Sequence, residues 1–160
     1  MSRERIPMTQ AVRLLNREEV QFKNHSYPYV AGGGTAQSAE VIGVDEHLVI
    51  KTLIMESEKG EPMIVLMHGD RQVSTKALAR CIGTKSLHPC LPKIADKHSG
   101  YQVGGTSPFG TRRKMPVYCQ RTVVDLPLIY INGGRRGFII SMAPGELQRV
   151  LKPILVEIAC

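Results

Sequence analysis

The residue types best suited to chemistry gather in residues 101–110, which read Tyr-Gln-Val-Gly-Gly-Thr-Ser-Pro-Phe-Gly and run on to Arg112, Arg113 and Lys114. Gly104 and Gly105 lack a Cβ, so the backbone there can take positive φ and approach a ligand closely, while Pro108 stiffens the turn. Such a loop turns N–H groups toward an oxygen, and the cations beyond it can hold a phosphate or polyanion in register. The competing reading is an ordinary Gly/Pro turn beside a solvated basic face. A phosphate-binding P-loop is excluded. Gly105 and Gly110 have its glycine spacing, but Thr111-Arg112 follow where Lys-Ser/Thr is needed, and Pro108 removes an N–H from the cradle.

Lys51 is the second conspicuous residue, a lysine among Val49, Ile50, Leu53 and Ile54. It either reaches water at a sheet edge as a gatekeeper or sits where its charge is used. Other reactive groups form no recognisable set. His68, His88 and His98 lack the i, i+4 spacing of a helical metal pair. His88 and Cys90 flank Pro89, which fits a structural loop better than an activated thiol. There is no G-x-S-x-G elbow. Cys81, Cys90, Cys119 and Cys160 show neither C-x-x-C spacing nor a dense disulfide pattern, and are expected to be reduced and mostly structural.

Local signals place these residues on elements. Thr9 caps a helix through about Glu19, and Val20 and Phe22 begin a short strand leading to Tyr27. Gly32-Gly33-Gly34 reads as a hinge, with Thr35 capping a helix that ends at Gly43, and Asp45 opens a helical turn. From Val49 two apolar strands form a hairpin about Lys59-Gly60. Ser74 caps a helix ended by Gly83, and Pro92 begins one that closes at Gly100, with a short strand expected before the glycine loop. Three strand-like runs follow, Val117 to Val124, Leu128 to Ile131 and Phe138 to Met142, with residues 132–137 as a turn, and Pro144 starts a last helix. The pattern predicts an α+β protein, a mixed, largely antiparallel sheet that curls toward a barrel and is flanked by helices.

Composition bounds the function. The chain has 160 residues, 42% of them hydrophobic, enough for one sizeable core, so a single domain over residues 1–160 is expected. The stretch Ser2 to Ile6 lacks the apolar run of a leader and no run approaches the roughly 20 apolar residues of a membrane span, so a cytoplasmic protein is expected. The 21 Lys and Arg against 14 Asp and Glu leave +7 and make an anionic partner plausible. With no Trp and 5% aromatics, a base-stacking, sequence-reading platform is not expected.

Four segments remain that can converge on one cleft. In order they are Tyr27, Lys51-Thr52-Leu53, Gly100-Tyr101-x-Val103-Gly104-Gly105-x-Ser107-Pro108-x-Gly110, and Ile129-Tyr130-x-x-Gly133-Gly134-x-Arg136-Gly137. This combination resembles the YbaK family, which is related to the editing domain of bacterial prolyl-tRNA synthetases. The resemblance covers nearly the whole chain and implies a free-standing trans-editing deacylase. Such an enzyme removes a wrong small amino acid from tRNA, most typically cysteine from tRNA for proline, with no metal and no tightly bound cofactor. Lys51 matches the family's essential lysine, and Gly104, Gly105, Thr106, Ser107 and Pro108 form its substrate-holding loop. Tyr27, Thr52, Asn132, Gly133 and Ile139 fall where members line the aminoacyl pocket. Asn132 stands where serine is common, and Ile139 where the closest characterised members carry aspartate.

The implied partners are aminoacyl-tRNA and a prolyl-tRNA synthetase, with no DNA and no membrane. Alternatives are a deacylase for alanyl- or seryl-tRNA, and a non-catalytic tRNA- or synthetase-binding module. On the enzyme reading, Arg112, Arg113, Lys114, Arg135 and Arg136 meet tRNA. Neutralising Arg112, Arg113 and Lys114 together is therefore expected to weaken tRNA binding and reduce its salt slope, measured by fluorescence anisotropy between low and high salt. An unchanged slope would leave these residues as a solvated face.

Overall fold

The computed structural model describes residues 6–160, and the Ser2 to Arg5 part of the leader reading lies outside them. Thr9 caps α1 (Gln10–Arg17) by accepting from the Val12 N–H at 3.1 Å. The chain does not pass from α1 straight into a strand at Val20. Glu19 is left-handed, and Val20 donates to Leu15 O at 2.9 Å, closing the helix and tucking Val20 into the core. Strand β1 (Lys23–Ser26) therefore begins later. Helix α2 (Gly34–Ile42) starts at Gly33, not at Thr35, whose hydroxyl instead donates to Glu46 Oε2 at 2.7 Å. A 3-10 turn at Glu46–Leu48, capped by Asp45, then delivers the central hairpin of β2 (Val49–Ser57) and β3 (Pro62–His68).

Helix α3 (Thr75–Ile82) lies between Ser74 and a left-handed Gly83, as its caps predict. The strand β4 (Leu87–Pro89) had no counterpart in the sequence reading, because three residues are too few to show a period. Helix α4 (Pro92–Ser99) ends at Gly100 and passes directly into the glycine loop, without the expected intervening strand. The Val117 to Val124 run is strand only as β5 (Val117–Gln120) and then tightens into a 3-10 turn. Strand β6 (Ile129–Arg135) absorbs most of the expected turn, with an irregularity between Asn132 and Arg135 where it pairs with β7 (Phe138–Met142). Helix α5 (Pro144–Leu151) and a short β8 (Ile154–Val156) complete the chain.

The eight strands among the described residues join one sheet in the order β1-β7-β6-β2-β3-β5-β8, with β4 also on β2. The sheet is mixed. Pairs β1/β7, β6/β7, β2/β3 and β2/β4 are antiparallel, while β2/β6, β3/β5 and β5/β8 are parallel. Its hydrogen-bonded path is open, ending at β1 and β8. Two apolar clusters occupy its opposite faces. Ile50, Ile54, Ile131, Phe138 and Ile140 join the larger, under α1 and the loop's Phe109, and Met55, Val65 and Met67 join the smaller, under α3.

One contact ties the N-terminal helix to the irregular end of β6. The Thr9 hydroxyl both accepts from Val12 N and donates to Gly133 O at 2.6 Å. Thr9→Ala removes a cap and strands a carbonyl, at a cost of about 1–2 kcal/mol. Urea denaturation is expected to show a lower midpoint at unchanged slope. An unchanged midpoint would show that the bridge carries no stability.

Candidate active site

Strands β2 and β6 are neighbours for only two rungs, Val49–Tyr130 and Ile50–Ile131, after which they part. Beyond the gap β2 is paired again on that side by β4, from Met55 to Ser57. In the β2/β3 ladder Gly69 N bonds Val49 O and Ser57 N bonds Glu61 O, so odd-numbered residues of β2 turn their backbone groups toward β3. The N–H and C=O of Thr52 therefore face the gap. Such an opening between parallel neighbours leaves room for a ligand. Here it widens into a cavity of about 550 Å3, within the usual 300–1,000 Å3 of small-molecule sites.

Strand alternation decides which side chains enter it. The register sets His25 opposite Ile139, Ile139 opposite Asn132, and Val49 beside Tyr130. One face of the sheet thus carries Ile139, Asn132 and Lys51, all lining the cavity, while Phe138, Ile140, Ile131 and Ile50 belong to the core cluster. Because the strands separate, the cavity passes through the sheet and also reaches Thr52 and Ile54 on the opposite face.

Lys51 lies in the interior of the sheet, which removes the edge-gatekeeper reading. Among the described residues it forms no ion pair. Desolvation lowers its pKa from the ordinary 10.5, opposed by the more distant charges of Glu46 and Asp70. Both carboxylates are engaged elsewhere, Glu46 by the Thr35 hydroxyl and Asp70 by His47 Nδ1 at 2.8 Å. Thr52 Oγ1 is buried against the cavity with no hydrogen-bond partner among the described residues. An unsatisfied buried hydroxyl costs about 1–3 kcal/mol unless something binds there.

The glycine loop forms the facing wall. It is held by Val103 N on Asp96 Oδ1, Gly105 N on Gln102 O, Tyr101 Oη on Phe109 O, and a fully buried Phe109. Gly104 has φ of +91°, and a Cβ there would lie 2.7 Å from Tyr29 Oη, so both backbone and space demand glycine. Its carbonyl accepts from Asn132 Nδ2 at 3.2 Å, while Asn132 Oδ1 accepts from Gly134 N and Arg135 N. Asn132 therefore couples the loop to the irregular end of β6. The N–H groups of Gly104 and Thr106, two cavity residues, have no protein partner among the described residues.

The sequence-predicted residues divide into two sets. Tyr27, Lys51, Thr52, Gly104, Thr106, Asn132 and Ile139 come together around the cavity. Ser107, Pro108 and Gly133 are buried behind it, where Ser107 Oγ accepts from Phe109 N and Gly133 packs under Phe138. Gly105 faces a neighbouring cleft with Arg135 and Arg136, and Arg112, Arg113 and Lys114 are exposed beyond the loop. Sequence reasoning missed Tyr29, Ser38, Cys90, Ala95 and Val103 as lining residues. The Ser38 hydroxyl meets that of Tyr27 at 2.8 Å, an i, i+11 relation that no local pattern shows. Burial, with Glu56 beside it, pushes the Cys90 thiol up to about 11, so Cys90 is a neutral wall; Glu56 also bonds His88 at 3.0 Å.

A lysine whose pKa falls on folding sets a pH dependence. Between its folded and unfolded pKa values the unfolded chain binds the proton that the folded chain has released, so stability rises with pH across that window. Below it the buried charge costs the fold stability. Side-chain NMR of Lys51 is expected to titrate below 10.5, and a midpoint at or above that value would contradict the desolvation.

Comparison with known proteins agrees with this geometry. Residues 32–150 match the family model of the aminoacyl-tRNA editing domain. A protein of Enterococcus faecalis, provisionally named a Cys-tRNA(Pro)/Cys-tRNA(Cys) deacylase, EbsC, is 28% identical over 151 residues, 94% of this chain and 92% of the relative. The proline–tRNA ligase of Thermodesulfovibrio yellowstonii is 36% identical over 76 residues, 48% of this chain and 13% of the ligase. A crystal structure provisionally described as a trans-editing enzyme for prolyl-tRNA synthetase has the same fold, with TM-score 0.84 at 19% identity over 98% of this chain and 99% of the other. With the matched segment holding the hairpin, the loop and the β6/β7 pair that enclose the cavity, the chain belongs to the aminoacyl-tRNA editing domain family.

Proposed function

We propose that this chain is a trans-editing aminoacyl-tRNA deacylase that clears a mischarged small amino acid, with cysteine on tRNA(Pro) as its main substrate and a prolyl-tRNA synthetase as a partner. The observation that carries the reading is an unpaired Lys51 ammonium in a largely apolar cavity, opposite a glycine loop with free N–H groups. The name of the Enterococcus relative supports the substrate.

An aminoacyl ester is already activated, so the site needs chiefly to position it and to stabilise charge developing on its carbonyl oxygen. Lys51 and the Gly104 N–H take that oxygen. Water, or the thiol of a cysteinyl group, adds to the carbonyl carbon. The bond to the ribose oxygen then breaks, and the proton of the nucleophile ends on the ribose hydroxyl. Thr52 Oγ1 gains in the substrate the partner it lacks in the free protein. Tyr27, Thr106 and Asn132 shape the wall around the aminoacyl group, and the free carbonyl lone pairs of the loop receive its ammonium.

Specificity follows from Ile139 and Cys90, which make the amino acid end apolar. A pocket alone separates small side chains by only about 1–3 kcal/mol, which is why editing exists as a second sieve. Cysteine and alanine are favoured there over serine, whose hydroxyl finds no partner at Ile139.

A panel of mischarged tRNAs tests the reading directly. Cysteinyl- or alanyl-tRNA is expected to be cleared faster than seryl-tRNA, and Ile139→Asp to change that ratio more than it changes the melting temperature. Lys51→Ala is expected to lose at least about a hundredfold in deacylation. Its melting temperature should stay within a few degrees of the parent. Full activity in a folded Lys51→Ala protein, or no clearance of any substrate by the parent, would reject the proposal.

A further inference from the structure

Behind the glycine loop lies a second, smaller cleft of about 300 Å3, lined by Gly100, Tyr101, Gln102, Gly105, Gly134, Arg135 and Arg136. Three of its walls are glycines, so it is bounded largely by backbone. A Cβ at Gly105 would meet Arg136 N at 2.6 Å, and one at Gly134 would meet the Tyr101 ring at 2.8 Å. Arg112 packs beside one lining residue, its Cβ 3.2 Å from the Cβ position of Gly100. Arg112, Arg135 and Arg136 have no carboxylate partner among the described residues. Arg136 is nevertheless fixed, because its Nε donates to Val103 O at 3.0 Å and its guanidinium lies 5.1 Å from the centre of the Tyr29 ring.

Two guanidinium groups without a carboxylate partner in a backbone-walled cleft, with a third, Arg112, packed beside Gly100, suit one ligand chemistry, a tetrahedral oxyanion held by forked donors. The cleft's position identifies which one. Gly104 lines the main cavity and Gly105 lines this cleft, and consecutive Cα atoms are about 3.8 Å apart, so the partition is one peptide thick. We infer that this cleft seats a phosphodiester of the tRNA 3′ strand, the one immediately 5′ of the aminoacylated nucleoside. This inference rests on the deacylase reading of the main cavity. On it, Arg135 and Arg112 grip the phosphate, while Arg136 links the phosphate to Val103 and Tyr29 at the mouth of the aminoacyl site. The loop then senses both ends of one nucleotide, so that a free amino acid ester lacking the phosphate is held poorly.

The test replaces that single linkage, in a short aminoacylated RNA ending in CCA, by an uncharged methylphosphonate. For the parent protein the replacement is expected to raise KM about tenfold, the worth of one charge-assisted contact. In Arg135→Gln, and in Arg135→Gln/Arg112→Gln, KM for the native RNA rises and the added penalty of the methylphosphonate shrinks below about twofold. Calorimetric titration with uncharged CCA trinucleotide, its methylphosphonate analogue and inorganic phosphate gives a readout that needs no turnover. Only the native trinucleotide is expected to bind with an Arg135-dependent affinity. Phosphate-dependent binding without any deacylation would reject the enzyme reading and leave the cleft standing. Deacylation by the parent with no methylphosphonate penalty, a penalty that persists in the arginine variants, or phosphate binding as tightly as the trinucleotide would overturn the assignment of the cleft.

Discussion

Everything at this site depends on the two-rung ladder between β2 and β6. Were it to continue past Ile50 and Ile131, Thr52 would be paired, Asn132 would lie against Lys51, and no cavity would exist. The parting is enforced from both sides. The irregularity of β6 after Asn132 bends that strand away, held there by the Asn132 side chain on Gly134 N, Arg135 N and Gly104 O. On the other side β4 claims β2 from Met55 onward, and Cys90 N takes Ile54 O at 3.0 Å. The opening is thus a property of the sheet rather than of a flexible loop, and rigid elements frame the residues proposed to do the chemistry.

The arrangement holds cost and use in the same place. A lysine in the sheet interior is partly stripped of water, and a threonine hydroxyl is left without a partner. Each is unfavourable in the free protein, and on the proposed function each is relieved when an ester oxygen enters. The acidic groups near Lys51 are engaged by Thr35 and His47, so they moderate its charge without neutralising it. His68, paired with Ile50 across the hairpin, is partly stripped of water as well. Desolvation lowers its pKa, and its Nδ1 donates to His47 O while its Nε2 accepts from Thr122, which fixes one tautomer.

Local features were legible in the sequence wherever one residue decides the geometry. Ser74 with Gly83, and Pro92 with Gly100, bound their helices because capping is a matter of a few adjacent atoms. The mixed sheet flanked by helices was readable as a class. Its order was not, since β2 meets β6 across about eighty residues and nothing local in Val49 or Tyr130 announces the partner. That is why Lys51 could be taken for an edge residue. Thr35 was misread as a cap because the helix already opens at Gly33, which places Thr35 inside its first turn, where its hydroxyl donates to Glu46, eleven residues on. Ile139 was legible as facing away from Phe138 and Ile140, but only the pairing with His25 and Asn132 puts that face on the cavity. The gathering of Ser38, Cys90 and Ala95 from three separate segments left no mark at all in the sequence.

In the proposed mechanism one ester carbonyl is held between Lys51 and the Gly104 N–H in the gap of the sheet. A crystal structure with a non-hydrolysable 3′-amide analogue of cysteinyl-adenosine tests it most directly. The carbonyl oxygen is expected within hydrogen-bond distance of both Lys51 Nζ and Gly104 N, with the side chain toward Ile139 and Cys90. An analogue bound with its carbonyl turned to solvent, or seated outside the gap between β2 and β6, would contradict it.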